Sequence, residues 1–234
     1  MIGTDVLIPD RMIDTESGTH RSERLRITEI FRSLQGESAT AGWPTVFVRL
    51  TGCPLRCVYC DSAYAFKGGY WMSRQAIIEA VLAENTHYVC VTGGEPLAQP
   101  GCLPLLTMLA DHGLQVSLET SGAMDVSKVD PRVRIVMDLK TPGSGEASRN
   151  RFENLDHLKQ TDEIKFVISS RADFDWAIEK LIAYDLDHRF EVLMSPVYGK
   201  LAPQDLAEWL LASGRKIRMQ LQLHKLLWGD EPGR

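Results

Sequence analysis

Seven short runs of apolar, β-favouring residues punctuate the chain, at 46–50, 87–92, 114–119, 133–139, 163–168, 189–194 and 216–223. Each has strand length, and between several of them the apolar positions switch to a helical period. Ser73 reads as an N-cap for a helix over 74–84, where Ile77, Ile78, Val81 and Leu82 recur at helical spacing. Leu103 to His112 forms a second pattern, closed by Gly113 at the C′ position. Residues 172–184 give a third, and 203–212 a fourth, opened by Pro203 at N1. Strands that alternate with helices predict an α/β fold with parallel strands and right-handed crossovers. The expectation is a partial, open β/α barrel of about six to seven mostly parallel strands, fewer than the eight of a closed barrel. Residues 1–24 are polar and aperiodic and read as an N-terminal extension, mobile at its start, ahead of one domain over 25–234. Thr141 to Asn150 is glycine-rich and polar, hence a loop. In such sheets chemistry gathers beyond the carboxyl ends of the strands.

Composition narrows the class. The chain has 234 residues, 44% hydrophobic and 24% charged, enough for one sizeable core. A net charge of −5 provides no basic field for nucleic acid or an anionic membrane. No apolar run reaches the ~18 residues of a membrane span, and the N-terminus lacks a signal-peptide pattern, so a soluble cytoplasmic protein is expected. Five cysteines form an odd set that suits a reducing compartment rather than a disulfide framework.

Three of them, Cys53, Cys57 and Cys60, follow the first predicted strand with the spacing C-x3-C-x2-C. Structural zinc and the common iron–sulfur clusters each take four protein ligands. Three thiolates therefore hold an incomplete site, and a cubane bound by three cysteines keeps one iron open to an outside ligand. Zinc with a remote fourth ligand, or buried thiols, remain the alternatives. At the next strand end, Gly93-Gly94-Glu95-Pro96 forms a turn where glycines admit a ligand close to the backbone and Glu95 could accept bonds from a cationic amine.

The segment Arg49-Leu-Thr-Gly-Cys-Pro-Leu-Arg-Cys-Val-Tyr-Cys-Asp-Ser62 resembles the cluster loop of the radical S-adenosylmethionine (SAM) superfamily. Ser33-Leu34-Gln35-Gly36-Glu37-Ser38 with Gly42 is similar to a segment of the 7-carboxy-7-deazaguanine synthase family. So are Val91 to Pro96, Glu119 to Gly122 and the tail from Leu223 to Gly229. The resemblance spans residues 25–234. One departure is Ser38, where that family usually carries glycine, so a positive φ there would be harder to meet.

The resemblance implies a [4Fe-4S] cluster on Cys53, Cys57 and Cys60, with SAM chelating the fourth iron. It implies SAM contacts from Tyr59, Cys60, Asp61, Gly94, Glu119, Thr120 and Ser121, from Asp138, Leu139 and Lys140, and from Ser195, Pro196, Val197 and Tyr198. Ser62 would ligate Mg²⁺ through a hard oxygen where the family has threonine. The implied substrate is 6-carboxy-5,6,7,8-tetrahydropterin, converted to 7-carboxy-7-deazaguanine with loss of ammonia. Leu34, Gln35, Gly36, Glu37 and Thr92 would read the pterin edge, Arg49 its carboxylate, and Arg234 would add the terminal carboxylate. A structural role is expected for His224. A flavodoxin-like electron donor and a homodimer are implied as partners, with Trp209 and Trp228 serving an interface or the core. A different small radical SAM enzyme, such as an activase that installs a glycyl radical on a partner, would share the cysteine spacing without needing Arg49 or the Gln-Gly-Glu segment, and a zinc-stabilised binding module without catalysis would be colourless with one zinc per chain.

Overall fold

The computed structural model describes residues 23–229, 231 and 233. Nine strands form one sheet. They are β1 (Arg24–Leu34), β2 (Pro44–Leu50), β3 (Tyr70–Ser73), β4 (Tyr88–Gly93), β5 (Gln115–Thr120), β6 (Arg134–Asp138), β7 (Glu163–Ile168), β8 (Glu191–Pro196) and β9 (Arg218–Met219). The helices are α1 (Arg74–Ala83), α2 (Cys102–Asp111), α3 (Arg171–Ala183), α4 (Leu186–Arg189), α5 (Pro203–Ser213) and α6 (Leu223–Trp228). Spatial order is β3-β1-β2-β4-β5-β6-β7-β8-β9. From β2 to β9 every pairing is parallel, giving seven parallel strands in an open sheet. The expected fold class holds, with an antiparallel β1–β3 pair added at one edge.

Local chemistry explains the elements. Ser73 caps α1 by accepting from the Ala76 amide, and Ile77, Ile78, Ala80 and Val81 turn inward. Ser170 caps α3 in the same way, over Phe174, Ala177 and Leu181. Gly113 follows α2 at φ +76°, as expected for a C′ glycine. Apolar side chains on β2, β4 and β5 pack with α1 and α2. Those on β6, β7 and β8 pack with α3, α4 and α5, where Trp209 tilts against Phe174 at 5.7 Å and so serves the core.

Two strands escape the sequence pattern. In β1 a register shift between Ile27 and Glu29 breaks the alternation that marks a half-buried strand, and β3 has only four residues. At the far edge, the run expected over 216–223 pairs only through Arg218 and Met219. Just beyond, the Gln220 amide donates to the Met194 carbonyl of β8, and its side chain holds the β1–β2 connection: Oε1 accepts from the Ser38 amide at 2.9 Å and Nε2 donates to the Ser38 carbonyl at 2.8 Å. Residues 1–22, most of the expected extension, and Arg234 lie outside the described residues, while Arg24 already belongs to β1.

The β1–β2 connection positions the site. It reaches across to later strands, where Gln35 meets Glu119 of β5 and Glu37 meets Lys165 of β7, while the Leu223 amide donates to the Gly36 carbonyl. Ser38 has φ +67°, the conformation that glycine adopts most cheaply. Its hydroxyl lies 3.0 Å from that of Thr40, a local bond that offsets part of the cost.

Candidate active site

The carboxyl ends of β2 and of β4 to β8 surround a cavity of about 390 Å³. Cys53, Cys57 and Cys60 are free thiols on its wall. Their loop is fastened at both sides: the Gly52 amide donates to the Ala65 carbonyl, the Val58 amide to the Ser144 carbonyl, and the Arg56 amide to Glu146 at 2.6 Å. Burial pushes all three thiols up, Cys57 to about 11, and Lys140 is the cation that opposes the rise at each. A positively charged metal group would supply the missing compensation, since ligation requires thiolates.

The donor set fits a cubane better than zinc. Four ligands about a tetrahedral zinc lie about 3.8 Å apart. Among the described residues, the one group of three or more His, Cys, Asp or Glu ligand atoms within 4.8 Å is Asp185, Asp187 and His188, which excludes the three cysteines. Residues Asp138 and Ser195 line the same cavity, and their buried Oδ1 and Oγ atoms have no hydrogen-bond partner among the described residues, places where a ligand can bond.

Among the residues expected to contact SAM, Tyr59, Cys60, Asp61, Gly94, Glu119, Ser121, Asp138, Lys140 and the segment Ser195 to Tyr198 line this cavity. The Tyr59 hydroxyl lies 3.2 Å from Thr141 Oγ1 and bonds the Val167 carbonyl of β7. Lys140 bonds Asp138 Oδ2 at 2.7 Å, and Asn150 brackets the Lys140 backbone at both N–H and C=O. Leu139 is apart from them: its side chain is fully buried in the core and its amide bonds the Lys165 carbonyl. Gly94 has its amide on the Leu50 carbonyl, and a Cβ there would lie 2.2 Å from the Gly52 oxygen. Glycine is thus required by the approach of the cluster loop as much as by any ligand.

Glu95 does something other than the role expected of it. It is fully buried, and its carboxylate accepts from the Leu97 amide, the Thr120 hydroxyl, and both the amide and hydroxyl of Ser121. With its lone pairs spent on the ends of β4 and β5, it is a strut and does not line the cavity.

Of the expected substrate residues, Leu34, Gln35, Glu37, Arg49 and Thr92 line the same cavity. Arg49 Nε donates to Glu29 at 2.7 Å, and its guanidinium carbon lies 5.8 Å from the ring centres of both Phe31 and Tyr64. The Tyr64 hydroxyl donates to the same Glu29 oxygen. This clamp fixes the fork while its terminal nitrogens make no hydrogen bond among the described residues. Thr92 donates to Glu119 Oε2 at 2.9 Å. Gly36 is absent from the lining: a Cβ there would lie 2.3 Å from His224 Nδ1, so its small size admits α6. Burial lowers the His224 pKa, leaving a neutral imidazole, and Gln222 and Lys225 also face the cavity from α6 and the turn before it.

Ser62 occupies the N-cap position of the turn Ala63–Phe66, yet its hydroxyl makes no capping bond and instead donates to Asp61 Oδ1 at 2.8 Å. Although burial pushes the Asp61 carboxyl up, hydrogen bonds from Ser62 and Gln222 and the charges of Lys165 and Arg49 bring it below its ordinary value. An ionised carboxylate beside a hydroxyl suits a small hard cation. Sequence reasoning missed Lys165, Gln222 and Lys225. Lys165 carried a usable signal: a lone cation among the apolar residues Ile164, Phe166, Val167 and Ile168 of β7.

A model of the radical SAM superfamily matches residues 47–143. A 7-carboxy-7-deazaguanine synthase from Chlorobaculum tepidum is 43% identical over 210 residues, covering 88% of this chain and 96% of that protein. Another, from Koribacter versatilis, is 45% identical over 223 residues, covering 88% and 98%. The crystal structure of QueE from Escherichia coli matches 86% of this chain and 95% of its own, with a TM-score of 0.71 at 24% identity, a likeness of fold.

Proposed function

This chain belongs to the 7-carboxy-7-deazaguanine synthase family of radical SAM enzymes, and on that premise we propose how its own residues perform the conversion of 6-carboxy-5,6,7,8-tetrahydropterin to 7-carboxy-7-deazaguanine. Cys53, Cys57 and Cys60 hold the [4Fe-4S] cluster as thiolates. When bound there, the cluster and SAM would supply radical hydrogen-abstraction chemistry directed at C6 of the pterin. The protein's share is placement and exclusion of water.

Arg49, held by Glu29 and flanked by two rings, presents its free fork to the substrate carboxylate. Ser62 and Asp61 offer oxygens to the Mg²⁺ that binds the same carboxylate. Gln35, Glu37, Glu119 and Thr92 receive the donor-rich edge of the pterin, because carboxylates accept where ring N–H groups donate. Tyr59, Gly94, Ser121, Asp138, Lys140 and the backbone of Ser195 to Tyr198 surround SAM. Lys140, ion-paired to Asp138, keeps a positive charge beside the thiolates. A flavodoxin-like protein supplies the electron, the assembly is a homodimer, and the reducing cytoplasm keeps the thiols free.

The observation that carries this reading is the meeting, in one cavity, of the three thiols, a clamped arginine and the carboxylates of Glu37 and Glu119. Anaerobic reconstitution with iron and sulfide, followed by turnover with SAM, reductant and the pterin, tests it. Product formation supports the assignment, and SAM cleavage without 7-carboxy-7-deazaguanine defeats the substrate claim.

A further inference from the structure

Lys165 is the most deeply placed cation in the cavity that the reaction as described leaves without a task. It stands on β7 with its Nζ 2.7 Å from Glu37 Oε1, and each side chain is 12% exposed. Arg49 is committed to Glu29 and Lys140 to Asp138. Glu119 has Thr92 and Gln35 as neutral donors. Among the described residues, Glu37 has Lys165 alone: no other ion pair reaches its carboxylate, and no hydrogen-bond donor is directed at it.

Glu37 needs that ammonium more than its neighbours do. Burial pushes its carboxyl up, and the charges of Glu119 from β5 and Asp61 from the cluster loop push the same way, while Lys165 pulls it down. Lys165 also faces Asp138 of β6, and together these carboxylates hold it charged despite its burial. His224 of α6 faces Asp61, Lys225, Glu119 and Lys165, and its lowered pKa leaves it neutral from pH 7 upward. Without Lys165, Glu37 would face Glu119 and Asp61 without the cation that now opposes them, and like charges at close range suppress ionisation. A protonated Glu37 would offer a donor where a pterin N–H requires an acceptor.

We propose that Lys165 is a positioning residue for the reaction, an internal counter-charge that fixes the Glu37 carboxylate in place and keeps it an acceptor for the donor edge of the pterin. This rests on the assignment of Glu37 to the substrate. It also accounts for a lysine in the middle of a buried parallel strand, where desolvation alone argues against one.

The test compares reconstituted Lys165→Met, Lys165→Arg and Glu37→Gln with the unaltered enzyme, measuring kcat and KM for the pterin at pH 7, 8 and 9. Loss of a charge-supported acceptor predicts a KM for Lys165→Met raised about tenfold or more at pH 7. Burial, Glu119 and Asp61 all push the Glu37 carboxyl up, so the rise in KM is greatest at the lowest pH and shrinks as pH increases. Lys165→Arg retains the charge and shows no such pH dependence. Glu37→Gln raises KM at every pH, because the amide does not ionise. Should Lys165→Met not fold, Lys165→Gln, which removes the charge and keeps a donor beside Glu37, must show the same pH-dependent KM. A Lys165→Met or Lys165→Gln KM that is unchanged at pH 7, or raised by one constant factor from pH 7 to 9, overturns the proposal. If Glu37→Gln also leaves KM unchanged, the failure lies in the assignment of Glu37 to the pterin, and the proposal falls with it.

Discussion

Replacing Glu95 with Gln should unsettle the sheet rather than weaken a ligand contact. The carboxylate accepts from the Leu97 amide on Oε1 and from the Ser121 amide on Oε2, at 3.0 and 2.7 Å, with the Thr120 and Ser121 hydroxyls bonded as well. Whichever oxygen becomes NH₂, it faces a backbone N–H that has lost its acceptor. An unsatisfied buried donor costs about 1–3 kcal/mol, and each surviving bond drops from charge-assisted to neutral, about 1 kcal/mol apiece. The two hydroxyls recover part of this by rotating. The net expectation is a loss of about 3 kcal/mol, which for a chain of this size lowers Tm by roughly 6–12 °C. Thermal unfolding followed by far-ultraviolet circular dichroism, with and without the cluster, measures it. A Tm within about 2 °C of the unaltered protein, joined to a tenfold loss of SAM affinity, would refute the strut and make Glu95 a ligand for the methionyl amine.

Other perturbations separate the remaining roles. Arg49→Ala should raise the pterin KM by about tenfold to a hundredfold, as expected for removal of a charged carboxylate partner, while SAM cleavage uncoupled from substrate continues; equal loss of both would speak against carboxylate recognition. Gln220→Leu strands the buried Ser38 amide and carbonyl, costing about 2–4 kcal/mol. It should also raise the pterin KM, since the segment carrying Gln35 and Glu37 loses its latch; unchanged denaturant midpoints would exclude this. For Ser62→Ala, the Mg²⁺ concentration giving half-maximal turnover should rise about tenfold, by analogy with the loss of one polar ligand, and an unaltered Mg²⁺ titration would remove Ser62 from the metal.

The sequence exposed the repeating part of this molecule and hid the part where neighbours compete. The buried parallel strands and the capped helices α1, α2, α3 and α5 were legible because apolar periodicity and local caps act within a few residues. β1 was not, because its bulge resets the phase between Ile27 and Glu29. β9 stops at Met219 and the chain enters α6 at Leu223, a change of course that the apolar run over 216–223 does not mark. Most expected site residues do line one cavity. Glu95 and Leu139 differ for a common reason: a strand end presents one residue to the ligand side and the next to the protein, and spacing alone does not say which. Lys165 stands out in the sequence as a cation among apolar residues, but its partner does not, because Glu37 reaches it from the distant β1–β2 connection.

The central claim is that three thiolates leave a fourth iron for an outside ligand. Electron paramagnetic resonance of the dithionite-reduced, anaerobically reconstituted enzyme, before and after adding SAM, tests it most directly. The account predicts a reduced [4Fe-4S] signal whose g values shift when SAM binds and which disappears in a Cys57→Ala variant. A signal indifferent to SAM, or one zinc per chain in place of iron, would contradict it.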